Sequence, residues 1–192
     1  MALFLPTHIS RARRALLFAI VLCCAWSGVA ADASREIEAQ VKAAFLPKLA
    51  NFVTWPASAF AETNSPLVIG ILGEDPFGPQ FDEDLKSVVI HGRPMVVKRL
   101  GAMPKPGAVH LLFVGQSATA RIGDIRKTLG KEPILTLGDA SGFAEAGGMI
   151  NFTKVEGKLR FEINITAAQA SGLQISSRLL QVSTVVRGKD KP

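Results

Sequence analysis

Beyond its amino-terminal segment, the residues of this chain that could do chemistry are two histidines, one acidic triplet and several scattered serines. His91 and His110 have no HxH or HxxxH partner that would hold a metal. His91 therefore reads as a loop residue and His110 as a hydrogen-bonded residue at a strand edge. Asp82, Glu83 and Asp84 are consecutive, so on a helix their side chains diverge, which suits a solvated face better than acid–base work or a cation site. Ser117, Ser141, Ser171, Ser176 and Ser177 lie outside any G-x-S-x-G elbow, and no GxGxxG or Walker sequence follows an expected strand. This pattern argues against a serine hydrolase or a nucleotide hydrolase, and no catalytic residue, metal or cofactor is expected.

Three further residues invite a binding role. Asp139 follows the apolar run Ile134–Leu137, where the carboxyl ends of parallel strands commonly frame a ligand crevice, although with Gly138 it equally makes a turn. Phe143 sits in a supple loop between Gly142 and Gly147-Gly148, and Trp55 precedes Pro56 at the end of a helical pattern. Both rings suit core anchoring. The alternative is that Trp55, Asp139 and Phe143 line a pocket for an aromatic or amphipathic ligand.

The elements that must position these residues follow from hydrophobic spacing. Ile37, Val41, Ala44, Phe45, Leu49 and Phe52 recur at helical steps, predicting a helix from Ser34, as its cap, to Val53, with a kink or break near Leu46 because of Pro47. Leu67–Leu72 is a compact run suited to a strand buried on both faces. Asp75 then caps a short helix ending at Leu85. Met95–Leu100, Val109–Val114 and Ile134–Leu137 read as further strands, with helical spacing across Ser117–Leu129. This alternation predicts an α/β fold, a single-domain Rossmann-like three-layer sandwich with a mostly parallel sheet. It closes with a C-terminal antiparallel hairpin, Gly148–Lys154 and Lys158–Ile165, turning at Glu156-Gly157. Alternation in the second arm puts Leu159, Phe161, Ile163 and Ile165 inward and Arg160, Glu162 and Asn164 outward. A last helix is predicted from Ser176 or Ser177 to Val186, with Leu179, Val182 and Val186 facing in.

The amino terminus has the pattern of a cleavable export signal over residues 1–31. Arg11, Arg13 and Arg14 precede the apolar stretch Ala15–Trp26, and Gly28-Val29-Ala30-Ala31 supplies small residues for cleavage. Both cysteines, Cys23 and Cys24, fall inside it, so residues 32–192 would fold without disulfide or thiolate chemistry. Loss of the three arginines brings the formal charge of +6 down by three, an ordinary balance that gives no support to a nucleic-acid partner. The expected location is outside the cytoplasm.

Taken together, several stretches resemble the YfiR-like family of exported bacterial proteins. They are Val41-Lys42-Ala43-Ala44-Phe45-Leu46 with Asn51 to Pro56, Ile71 to Phe77, His110 to Val114, Ile134 to Asp139, Phe143 to Ile150, Leu159 to Asn164, and Ser176-Ser177-Arg178-Leu179-Leu180. The resemblance implies a periplasmic α/β domain that binds the sensor domain of an inner-membrane diguanylate cyclase and represses it without catalysis. It also implies a homodimer and an outer-membrane-associated release partner. The disulfide input known in the family has no counterpart in residues 32–192, which lack cysteine. The polar face Arg160, Glu162 and Asn164, rimmed by Leu173, Ile175 and Arg178, is the expected partner-binding surface, since Arg and exposed aliphatics make good interface centres.

Overall fold

The computed structural model describes residues 33–188. The signal peptide expected over 1–31 lies outside the described residues. Residues 33–40 belong to the first of two units and are helical and largely exposed, Ile37 included. The second unit starts at Val41 and carries everything that follows.

The first helix, α1, covers 33–51. Ser34 lies inside it rather than capping it, and the chain stays helical through Pro47 instead of breaking there. A mid-helix proline costs about 3 kcal/mol. Burial of Leu46, Leu49 and Ala50, all at most 2 % exposed, offsets it, at about 1.5–3 kcal/mol for each buried leucine. The buried residues of α1 are thus Lys42, Leu46, Leu49 and Ala50; the predicted Leu49 is among them and Phe45 and Phe52 pack against the core, whereas the predicted Val41 and Ala44 are exposed.

Strand β1 is Val53–Thr54, followed by a 3-10 turn at Ala57–Ala59. Then come β2 (Leu67–Leu72), α2 (Gln80–Leu85), β3 (Val89–Ile90), β4 (Arg93–Leu100), β5 (Leu111–Val114), α3 (Gln116–Thr119), α4 (Ile122–Leu129) and β6 (Leu135–Gly138). The chain ends with β7 (Ile150–Val155), β8 (Lys158–Asn164), α5 (Ile165–Ala170), β9 (Gln174–Ile175), α6 (Ser177–Gln181) and β10 (Thr184–Val186). An eight-stranded sheet runs in the order β10-β8-β7-β6-β5-β2-β4-β3. Neighbours from β4 to β7 are parallel, β8 is antiparallel to β7, and β3 to β4. The fold is therefore α/β with a mixed, mostly parallel sheet.

Both faces of the sheet carry a core. In β5, Leu111 and Phe113 join one core while Leu112 and Val114 join the other, and all four are fully buried. That is why the run is apolar without alternation. Residues of α1, α2 and α6 build the first core, and those of α3 and α4 the second. The hairpin turns where expected, with Glu156 and Gly157 both at positive φ, as a two-residue turn requires.

Two helix predictions are corrected. Asp75 does not cap α2, which starts at Gln80 behind Pro79; its Oδ1 accepts from the Phe77 amide and its Oδ2 pairs with Arg99 at 2.7 Å. The last helix stops at Gln181, and the chain returns to the sheet as β10, parallel to β8. Leu179 is buried as predicted, but Val182 is 66 % exposed. The spacing of Val182 and Val186 mimicked a helix, while the β-branched run Thr184-Val185-Val186 favours the strand.

Candidate functional site

The two histidines are structural groups. His91 occupies a turn with φ of 52° and contacts the Val53 carbonyl at 3.1 Å through Nε2. His110 is buried just before β5. Its Nδ1 accepts the Val68 amide at 3.0 Å, so Nε2 carries the proton and donates to the Ala59 carbonyl at 3.1 Å. Phe60 stacks on the imidazole at 4.4 Å, and the Arg93 guanidinium lies over the Phe60 ring at 3.6 Å from its centre.

Burial pushes the His110 pKa below the ordinary 6.5, because the charged form would lose its water. The folded protein then keeps a neutral ring where the unfolded chain takes up a proton. Stability is therefore fully present above the unfolded value and falls as pH drops from there toward the folded pKa. Denaturant melts between about pH 7.5 and 5 are expected to show this slope, at most about 1.4 kcal/mol per pH unit for one proton. His110→Asn, which keeps an acceptor near Nδ1 but does not titrate, should flatten it. An unchanged slope in the variant would assign the effect elsewhere.

The acidic triplet is distributed as its spacing demands. Asp82 binds Arg99 at 2.7 Å, Glu83 pairs with Lys86, and Asp84 accepts from Gln80. The hydrogen bond from Arg99 chiefly holds the Asp82 carboxyl below its ordinary range. Arg99 thus clasps Asp75 and Asp82 together, tying the β2–α2 loop to β4.

Trp55, Asp139 and Phe143 do not share a pocket. Trp55 belongs to the first core and donates from Nε1 to the His110 carbonyl at 3.2 Å. Phe143 is fully buried in the second core, on the opposite face of the sheet, between Gly138 and Gly148. Asp139 faces α1, where its Oδ2 meets Lys42 Nζ at 2.7 Å with both side chains 8 % exposed. Its Oδ1 is buried with no hydrogen-bond partner. The carboxyl end of β6 is thus closed by an ion pair in place of a ligand crevice.

The six residues expected to meet a partner are also divided. Asn164 is 2 % exposed; its Oδ1 caps α5 by accepting the Ala167 amide at 3.0 Å, and its Nδ2 donates to the Ala144 carbonyl at 2.9 Å. Leu173 is 1 % exposed in the first core. These two are corrections to the expected surface: strand alternation ignored the helix that starts at Asn164. Glu162 is half-buried, bonded to Asn151 at 2.9 Å and flanked by Thr184 of β10. Arg160 is exposed on the same sheet face as Glu162, whereas Ile175 packs against the first core and α6 supplies Leu179 to it. Arg178, on α6, is exposed. The exposed Val182 follows it by four residues, and Val185 of the edge strand β10 is half exposed.

Sequence reading missed a half-open cavity of about 660 Å3 near the amino ends of β6 and β7, flanked by the end of α4 and by α5. Arg126, Lys127, Glu132, Thr136, Asn164 and Ser171 supply its polar lining. Gly147-Gly148 was a local signal. An added Cβ at Gly147 would fall 2.2 Å from Arg126 Cδ, so the bare glycine admits the arginine side chain.

The polar pairs described so far tie strands and loops together, and the exposed Arg178, Val182 and Val185 lie at one end of a mixed, mostly parallel α/β sheet. The chain belongs to the YfiR/HmsC-like family, which it matches over residues 39–184. No curated protein matches the chain. Among the described residues, no helix is long and apolar enough to cross a membrane.

Proposed function

We propose that this protein is an exported, non-enzymatic regulator that binds the periplasmic sensor domain of an inner-membrane diguanylate cyclase and holds it inactive, lowering cyclic-di-GMP. Membership of the YfiR/HmsC-like family, across residues 39–184, is the observation that carries this reading. The regulator works as a homodimer, and an outer-membrane-associated protein relieves it.

Of the expected contact residues, Arg178 is the one we keep at the centre. It lies four residues before exposed Val182, which follows the end of α6, and the chain then enters the edge strand β10, a combination of guanidinium and aliphatic surface that suits an interface centre. Arg160, on the other sheet face, serves as the control. Deleting the gene is expected to raise cellular cyclic-di-GMP several-fold, and the tagged protein should recover a diguanylate cyclase from membranes, identified by mass spectrometry. Arg178→Glu should weaken that recovery about tenfold or more, as loss of an interface centre does, while Arg160→Glu leaves it intact. Unchanged cyclic-di-GMP on deletion would remove the reading.

A further inference from the structure

We propose that the cavity between α4 and α5 is a binding site for a small monocarboxylate with an apolar tail. The volume, about 660 Å3, lies within the range of about 300–1,000 Å3 of small-molecule sites. Its head end is basic. Arg126 and Lys127 lie in the last turn of α4, and Glu132 is the acid on the opposite side of the charge balance. Two cations and one carboxylate leave a single positive charge, which matches a monoanion better than a phosphate dianion or a cation.

The basic end is also built in place. Arg126 lies against Gly147, whose φ of 105° and missing Cβ leave the room for it. Arg126, Lys127 and Glu132 form no ion pair with one another or with any other described residue. A charged guanidinium presents parallel N–H groups that fit a carboxylate in a two-point contact. Ser171 is 8 % exposed, lines the cavity, and makes no side-chain hydrogen bond among the described residues, so its hydroxyl is available to a ligand there. Asn164, by contrast, has its amide engaged at both ends and forms a fixed wall. Ile134 and Met149 are buried apolar residues of the lining, and Ala167 and Ala170 of α5 keep the opposite wall low. An unbranched or lightly branched hydrocarbon tail fits that lining.

This site stands apart from Arg178 and does not depend on the repressor reading. Octanoate, with 1-octanol and octylammonium as matched probes, tests it by isothermal titration calorimetry on the purified full-length protein. Octanoate is expected to bind saturably at one per chain, with the alcohol at least tenfold weaker and the ammonium not binding. Arg126→Gln should lower octanoate affinity about tenfold or more, the loss expected for a charge-assisted contact, and Arg126→Lys should recover part of it. Because Arg126 is exposed, its variants are expected to melt like the parent. Ser171→Ala should weaken binding several-fold. The proposal is overturned if octanoate shows no saturable heat at millimolar concentration, if octylammonium binds as well, or if Arg126→Gln binds octanoate like the parent.

Discussion

Replacing Lys42 by methionine is expected to destabilise the fold by about 3–5 kcal/mol, the usual result of removing one member of a buried ion pair. Methionine keeps most of the apolar stem, so the loss reports the charge and not the packing. Asp139 would be left as a buried carboxylate, and its Oδ1 already lacks a partner. Against a total stability of about 5–15 kcal/mol for a native domain, that is a large fraction. The melting temperature should fall by roughly 6–20 °C at about 2–4 °C per kcal/mol for a chain of this size. Asp139→Leu in the Lys42→Met background should return much of the loss, since replacing both ions by apolar groups is close to neutral. Urea melts of the parent, both single variants and the double variant complete the cycle. A cost below about 1 kcal/mol for Lys42→Met would mean that the pair is hydrated, because exposed pairs contribute no more than that.

Phe143→Ala is expected to cost a similar amount, about 3–5 kcal/mol, as a fully buried aromatic reduced to a methyl leaves a cavity. The setting of the ring makes a sharper test. An added Cβ at Gly148 would lie 2.0 Å from the ring, and one at Gly138 would lie 2.6 Å from it. Neither position tolerates alanine while the phenyl group stays where it is. Gly148→Ala alone should therefore cost about 1–3 kcal/mol as an overpacking change, or more if the ring cannot tilt. In a Phe143→Leu background the same alanine should be cheaper, giving a coupling of about 1 kcal/mol or more in a double-mutant cycle. Strict additivity would show that the ring does not rest on Gly148.

Reading the chain beforehand succeeded where the determining contacts are local or where every side is apolar. Leu67–Leu72 is buried along its whole length, and the Glu156-Gly157 turn and the cap at Ser176 are set by neighbouring residues. The resemblance to the YfiR-like family, built on short stretches in a fixed order, agrees with the match over residues 39–184. Failures came from distant partners. Nothing near Lys42 announces that it faces inward, because Asp139 is 97 residues away. Pro47 stays inside α1 because of what Leu46 and Leu49 touch on the sheet, which no helix propensity contains.

The site expectations at Asn164 and Leu173, and the shared pocket of Trp55, Asp139 and Phe143, fail for the same reason. Alternation along β8 placed Arg160, Glu162 and Asn164 on one polar side, but burial at Asn164 is decided by α5 and by the Ala144 carbonyl. Trp55 and Phe143 lie in separate cores, one on each sheet face. The cavity draws its lining from α4, β6, α5 and the loop before β7, so no contiguous pattern could have announced it. Sequence did carry its ingredients, a pair of cations at the end of a helix and a pair of glycines before a strand.

Strand β1 pairs with β9 through Val53–Ile175 and Thr54–Gln174, so the beginning of the second unit is stitched to a segment close to its end. A growing chain leaving the ribosome offers Val53 long before Ile175 has emerged. Until then the apolar stripe of α1 lacks Leu173 and Leu179, which complete its core. Nascent protein must therefore be shielded from aggregation until its tail arrives, and truncation from the carboxyl end should be far more damaging than the short length of β9 suggests.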